Sequence, residues 1–289
     1  MPAPILVAFS PDSADQGPVN FAAAAGRLTG APLVVVAVGD GAGSLESELS
    51  GRGVSATVRA VEHSKPAHAV TDAVKQLSPA LVVVGSTRRG RLGRVLLGST
   101  AEHVMKGSPC PVVVAPCGYE EPSGGMRNVG AAFVPTAGGR DTLRAAAQLA
   151  RSGGARLIAV MVLNPKHAGE QSPGLMAGAH HDHDVSEDLA GRSRITAEGA
   201  LKAALAESAA DLDAEPDILF QDPADGLVAA SGRLDLLVMG SADHGSSGAV
   251  ALGGVGRKVT AEAGCPVLVL PHDTAGALDP LLPGAGAPA

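Results

Sequence analysis

The chain has 289 residues, 45% of them apolar, enough for one large or two ordinary domains with soluble cores. Its formal net charge of −7, with no Trp, one Tyr and four Phe, speaks against a nucleic-acid or anionic-membrane surface and leaves few aromatic platforms for stacking bases. No apolar stretch reaches the roughly 18–20 residues that span a bilayer, and MPAPILVAFS has no charged segment ahead of its apolar run, so a cytoplasmic protein is expected.

In chain order, apolar runs predict strands near 4–9, 33–38, 54–60, 80–85 and 111–115, with helices near 15–28, 64–77 and 98–107. Runs such as LVVV (81–84) and PVVVA (111–115) do not alternate with polar residues, as expected of parallel strands buried on both faces. Strands alternating with helices predict a doubly wound α/β sheet. Right-handed crossovers then bring the loops after the first and fourth strands to one edge, around the switch in strand order where ligands bind. The fourth strand runs into GSTRRGRLGRVLLGST (85–100), with glycines at 85, 90, 93 and 98 and arginines at 88, 89, 91 and 94.

After the fifth strand, GYEEPSGGMR (118–127) reads as a linker, and the pattern starts again. An offset of 155 maps Gly85 to Gly240, Gly90 to Gly245, Gly93 to Gly248, Gly98 to Gly253, Cys110 to Cys265 and Pro116 to Pro271. A period this long marks two copies of a domain and not a solenoid. At the starts of the halves the offset is 124, from Ser10 to Val134, which places an insertion near 164–194, between the second and third strands of the second copy. The expected organisation is a domain at 1–117, a linker at 118–127, a second domain at 128–273 and a disordered tail at 274–289.

Inside the insertion, HHDHD (180–184) has ligand chemistry suited to zinc or nickel, but no second cluster closes a site, so a solvated loop is expected. Cys110, Cys117 and Cys265 form no CxxC pair, and Cys110 and Cys265 are expected as buried small hydrophobes. There is no G-x-S-x-G, H-E-x-x-H or G-x-x-x-x-G-K-[S/T] motif, and no Lys in the glycine loop.

A strand ending in VVVG, a glycine-rich loop, LLGS opening a helix and a Cys-Pro-Val strand ending in Ala-Pro together resemble the universal stress protein family, over nearly the whole chain as two tandem copies. The resemblance implies two tandem doubly wound five-stranded parallel sheets of order 3-2-1-4-5, flanked by helices and packed as an internal pseudo-dimer through the runs at 111–115 and 266–270. It also implies a stress-related binding or signalling role and leaves room for a homodimer of the whole chain.

Nucleotide-binding members of the family carry G-x2-G-x9-G-[S/T]. Here Gly85 takes the first position, Arg88 stands at the second glycine, and Gly98 with Ser99 takes the last two, followed by Thr100. The resemblance therefore implies ATP or another adenine nucleotide in the first half, with no metal beyond an accompanying magnesium ion. Glycines and helix-start N–H groups suit phosphate oxygens, and arginines add charge-assisted bonds. The second half has Asp243 at the second glycine and Gly254 at the hydroxyl position, a degenerate site. The acid that closes the first strand in nucleotide-binding relatives is Ser10 in one half and Val134 in the other, which leaves adenine to backbone groups around Val38. Asp12 is an alternative acceptor or an ordinary turn residue. Two further readings remain: a protein-interaction scaffold without ligand, and a slow ATPase.

Overall fold

The computed structural model describes residues 2–10, 15–38, 42–51, 53–61, 66–88, 95–165, 183–242, 248–273 and 275–282. The first half runs β1 (Ile5–Phe9), α1 (Gly17–Thr29), β2 (Leu33–Val38), α2 (Ala42–Gly51), β3 (Ala56–Val61), α3 (Pro66–Leu77), β4 (Leu81–Arg88), β5 (Val95–Leu97), α4 (Ser99–Met105) and β6 (Val112–Ala115). The second runs β7 (Asn128–Ala132), α5 (Ala137–Gly153), β8 (Arg156–Leu163), α6 (His183–Ser208), β9 (Ala214–Phe220), α7 (Pro223–Ser231), β10 (Leu236–Gly240), α8 (Gly254–Glu262) and β11 (Val267–Leu270).

Each half is a parallel sheet of order 3-2-1-4-5, β3-β2-β1-β4-β6 and β9-β8-β7-β10-β11. The fifth strands pair antiparallel, Val113 opposite Leu268, so the two sheets become one continuous sheet across a pseudo-twofold seam. The expected strand order and internal pseudo-dimer are both present.

The strands bury both faces because successive side chains point to opposite sides. Ile5, Val7 and Phe9 enter one core with Phe21 of α1, Leu45 of α2, Leu143 of α5 and Leu201 of α6. Leu6, Val82 and Val84 enter the other with Val70 of α3, Val104 of α4, Leu227 of α7 and Val259 of α8. Helix ends follow local chemistry. Thr136 accepts a hydrogen bond from the Gly139 N–H at 3.1 Å to start α5, and Asp222 accepts from Ala224 and Asp225 to start α7. The helix α1 ends on Gly30 at φ 70°, the left-handed cap that favours glycine.

Three features differ from the sequence reading. The segment after β2 forms α2, and residues 95–97 form β5 against an extension of β4. The third concerns the expected disordered tail, whose residues 275–282 are packed instead. Leu278, Leu281 and Leu282 are buried, the Ala3 N–H donates to the Pro280 carbonyl at 3.1 Å, and Gln148 of α5 donates to Asp279 at 3.2 Å. The reason is the spacing of those leucines at i, i+3 and i+4, one apolar face on a single turn, which the flanking Gly, Pro and Ala obscure in the sequence. Leu281 reaches the seam and lines a cavity of about 30 Å³ with Phe21, Leu28, Met126 and Leu149 from both halves.

The linker segment is also tied down. Asn20 donates to the Tyr119 carbonyl at 2.9 Å, Arg27 pairs with Glu121, and the N–H groups of Arg127 and Asn128 both donate to the Asp235 carboxylate at 2.8 Å. The Tyr119 hydroxyl is buried without a hydrogen-bond partner among the described residues, and burial pushes its pKa up to about 12. The longest connection within a half joins β8 to β9 and holds the 26-residue α6. Among the described residues no helix is long and apolar enough to cross a membrane.

Candidate functional site

The register of the first-half sheet defines its carboxyl edge. Phe9 pairs with Ala37 and Gly85 with Ala115, so Ser10 and Val38 end their strands side by side at the point where the strand order turns from β1 toward β4. Four of the expected residues follow from what β4 does next. It continues past the sheet, and Ser86, Thr87 and Arg88 pair antiparallel with Leu97, Leu96 and Val95. That hairpin returns the chain to the edge at Gly98, the N-cap of α4, with Ser99 and Thr100 as its first two residues. Ser10 and Ser99 are exposed, and Gly98 and Thr100 are partly exposed. Arg88 ends β4 opposite Val95, while Arg89, Gly90, Arg91, Gly93, Arg94 and Asp12 lie outside the described residues.

Gly98 has extended backbone, φ −67° and ψ 153°, and offers no side-chain cap to the N–H groups of the first turn. The same turn carries Glu102, an acid beside the positive end of a seven-residue helix. Gly85 has a different explanation from loop flexibility. A side chain there would stand 3.0 Å from Pro18 and 3.4 Å from the Asp15 carboxylate, so the close approach that demands glycine is that of the start of α1.

Asp15, which sequence reasoning passed over, accepts from the Gly17 N–H at 3.0 Å and from the Gly118 N–H at 2.9 Å. It thereby ties the start of α1 to the chain leaving β6. An acid two residues before Gly17-Pro18 is a helix-start signal, and that was the available clue. Ser86 is buried beneath the edge and accepts from the Cys117 N–H at 3.0 Å.

The second half builds the same frame with other groups. Gly240 faces the Thr142 hydroxyl, with room for a side chain only at 3.0 Å from it. Ser241 donates to the Leu270 carbonyl at 2.6 Å and accepts from the Ala251 N–H at 3.0 Å. Gly253 caps α8, and the hydroxyl positions of the first half are Gly254 and the exposed Val255. Where β7 ends, Val134 is 53% exposed and offers no acceptor. Its turn is closed tightly, since a side chain on Gly139 would stand 1.9 Å from the Val134 carbonyl oxygen. Ahead of α8, the segment leaving the second glycine loop meets the first half, where the Val250 N–H donates to the Ser108 carbonyl at 2.9 Å and the Val250 carbonyl accepts from the Gly107 N–H at 3.1 Å. In the opposite sense, β5 packs against α8. Asp243 and His244 lie outside the described residues.

Cys110 and Cys265 are not poised for chemistry. Burial raises the pKa of Cys110 and pushes that of Cys265 up to about 12. Among the described residues no three His, Cys, Asp or Glu side chains gather as a metal site. His180, His181 and Asp182 lie outside the described residues, and His183 begins α6.

Comparison with known proteins agrees with this architecture. Residues 41–116 and 126–271 match the universal stress protein family. A universal stress protein of Mycobacterium tuberculosis is 26% identical over 216 residues, covering 72% of this chain and 70% of the relative. In fold, the chain is similar to a functionally unknown protein from Pseudomonas aeruginosa, with a TM-score of 0.69, 18% identity and coverage of 97% and 95% of the two chains. It is also similar to a universal stress protein from Archaeoglobus fulgidus, with a TM-score of 0.57, 17% identity and coverage of 93% and 98%.

Proposed function

Because this chain belongs to the universal stress protein family, we propose that it is a stress-response protein with a binding or signalling role, whose first half takes an adenine nucleotide and whose second half has lost that capacity. The observation that carries this reading is the convergence of Ser10, Val38, the Arg88 end of the β4–β5 hairpin and the Gly98–Thr100 turn at one edge of the first sheet, at its switch in strand order. The backbone at Val38 would receive the base, and Arg88, Ser99 and Thr100 the phosphates, with Gly85 and Gly98 shaping the loop between them. ATP with its magnesium ion fits the charge of the arginines at 88–94.

The corresponding positions of the second half carry Val134, Asp243, Gly254 and Val255, three without a hydrogen-bonding side chain and one that repels phosphate. Hydrolysis is at most slow, since the first glycine loop holds neither Lys nor His to act on a phosphate or a water.

Calorimetric titration of ATP and AMP into the full chain tests the reading. Binding that weakens in both Arg88→Ala and Ser99→Ala is expected. No heat from either nucleotide sinks it and favours a protein-interaction scaffold, the reading to which Ser10 and Val134 in place of an acid already lend weight. Release of ADP over minutes would point to an ATPase.

A further inference from the structure

The two halves tie their paired outer helices together at the same place with different chemistry. In the second half, Lys258 of α8 forms an ion pair with Asp225 of α7. The first-half counterpart of Lys258 is His103 on α4, at the same offset of 155 that relates the loop glycines. The counterpart of Asp225 is His68 on α3, fixed by matching Pro66-Ala67-His68-Ala69-Val70 to Pro223-Ala224-Asp225-Gly226-Leu227. These two imidazoles do meet: both are exposed, with ring centres 5.1 Å apart and planes inclined by 34°. A position that joins opposite charges in one copy thus joins two like groups in the other, and neither imidazole can neutralise its neighbour.

We propose that His68 and His103 form a two-imidazole site for a divalent transition-metal ion of the zinc, nickel or copper class, bridging α3 and α4 where the exposed Lys258–Asp225 pair bridges α7 and α8. Imidazole nitrogen is a preferred ligand for these ions. With metal–nitrogen bonds of about 2.0–2.1 Å and tetrahedral ligand angles, two imidazole ring centres on one ion stand about 5 Å apart, the separation seen here. The rings are carried on helices whose buried faces, Val70, Ala73 and Val74 against Ala101, Val104 and Met105, fix the spacing. Among the described residues no third ligand joins them. His103 lies one turn after Ser99, so the bridge holds the short helix that begins at the candidate nucleotide edge.

The test is calorimetric titration of the metal-stripped full chain with zinc chloride and with nickel chloride. Wild type is compared with His68→Gln, His103→Gln and a triple His180→Gln/His181→Gln/His183→Gln variant, because the histidine tract can take ions on its own account. One equivalent should be lost in each of the first two variants and kept in the triple variant. Zinc should raise the thermal midpoint of the wild type but not of the first two variants. A His68→Asp/His103→Lys variant, which copies the second-half ion pair, should fold as the wild type does and show no zinc response. No metal binding by the wild type, unchanged stoichiometry and affinity in His68→Gln and His103→Gln, or binding that disappears only with the tract overturns the proposal.

Discussion

The two glycine loops leave β4 and β10 through corresponding glycines, yet they arrive at different chemistry. On the first-half side the chain returns to the sheet edge at Ser99 and Thr100, with Ser10 exposed beside it; on the second-half side it returns at Gly254 and Val255, beside an exposed Val134. The shared parts are those that packing requires. Gly85 is pressed by Pro18 and Asp15, Gly240 by Thr142, and Gly253 by Ala242 at 3.3 Å. Gly85 and Gly240 therefore report how closely a helix start approaches the strand end, whereas Gly248, with open space around it and φ 75°, is needed for its backbone conformation. Duplication separates frame from chemistry, because both loops must fit the same frame whatever side chains they carry.

The largest effects should come from breaking what the halves share. Val113→Asp buries a charge where the fifth strands meet, and a loss on the order of 4 kcal/mol or more is expected in denaturant unfolding. Loss of folded chain on expression would be the extreme of the same outcome, whereas a change below about 1 kcal/mol would mean that the seam is not part of the folding unit. Leu281→Ala removes a side chain that closes the seam cavity and should cost about 2–5 kcal/mol. If residues 275–282 were instead loose, the thermal midpoint would not move.

The carboxyl edges of the two sheets differ next in how they take a methyl group, at the first turn of α5 in one and at the end of the core run of β4 in the other. Gly139→Ala meets a backbone carbonyl oxygen at 1.9 Å and should destabilise by about 1–3 kcal/mol, while Gly85→Ala meets Pro18 at 3.0 Å and should cost less. The reverse order in thermal melts would show that the first-half edge is the tighter of the two. The smallest effect belongs to the exposed Lys258–Asp225 pair, whose removal by Lys258→Met should barely change stability. The hydrogen bond to Asp225 holds the Lys258 pKa above its ordinary range. The contribution of the pair is therefore present at neutral pH and fades as pH rises through that raised value. Loss of the contribution between pH 6 and 8 would assign it to another group.

Much of the fold is legible in the sequence because it rests on local pattern. Val-rich runs such as Val82–Val84 and Val112–Val114 read directly as doubly buried parallel strands, and the offset of 155 exposes the second copy from residue spacing alone. The pairing of β6 with β11 follows from resemblance and not from pattern, since the runs PVVVA and PVLVL show that a strand exists but not its neighbour. Short elements whose stability is tertiary escape notice. The three-residue β5 exists because β4 extends to meet it, and the terminal leucines pack because both halves supply the surface beneath them. At the candidate site, Arg88, Ser99 and Thr100 can be named from the match to the family motif, but the role of Asp15 depends on Gly118, 103 residues away. The meeting of His68 with His103 likewise depends on how α3 and α4 pack, which no single stretch of sequence encodes.

The number of nucleotides bound per chain tests the contrast between the two loops most directly. Titration calorimetry with ATP and magnesium on the full chain, repeated on Ser99→Ala and on Gly253→Val, should give one site whose affinity falls in the first variant and holds in the second. Two sites per chain, or a single site lost in Gly253→Val and kept in Ser99→Ala, would contradict the assignment of the ligand to the first half.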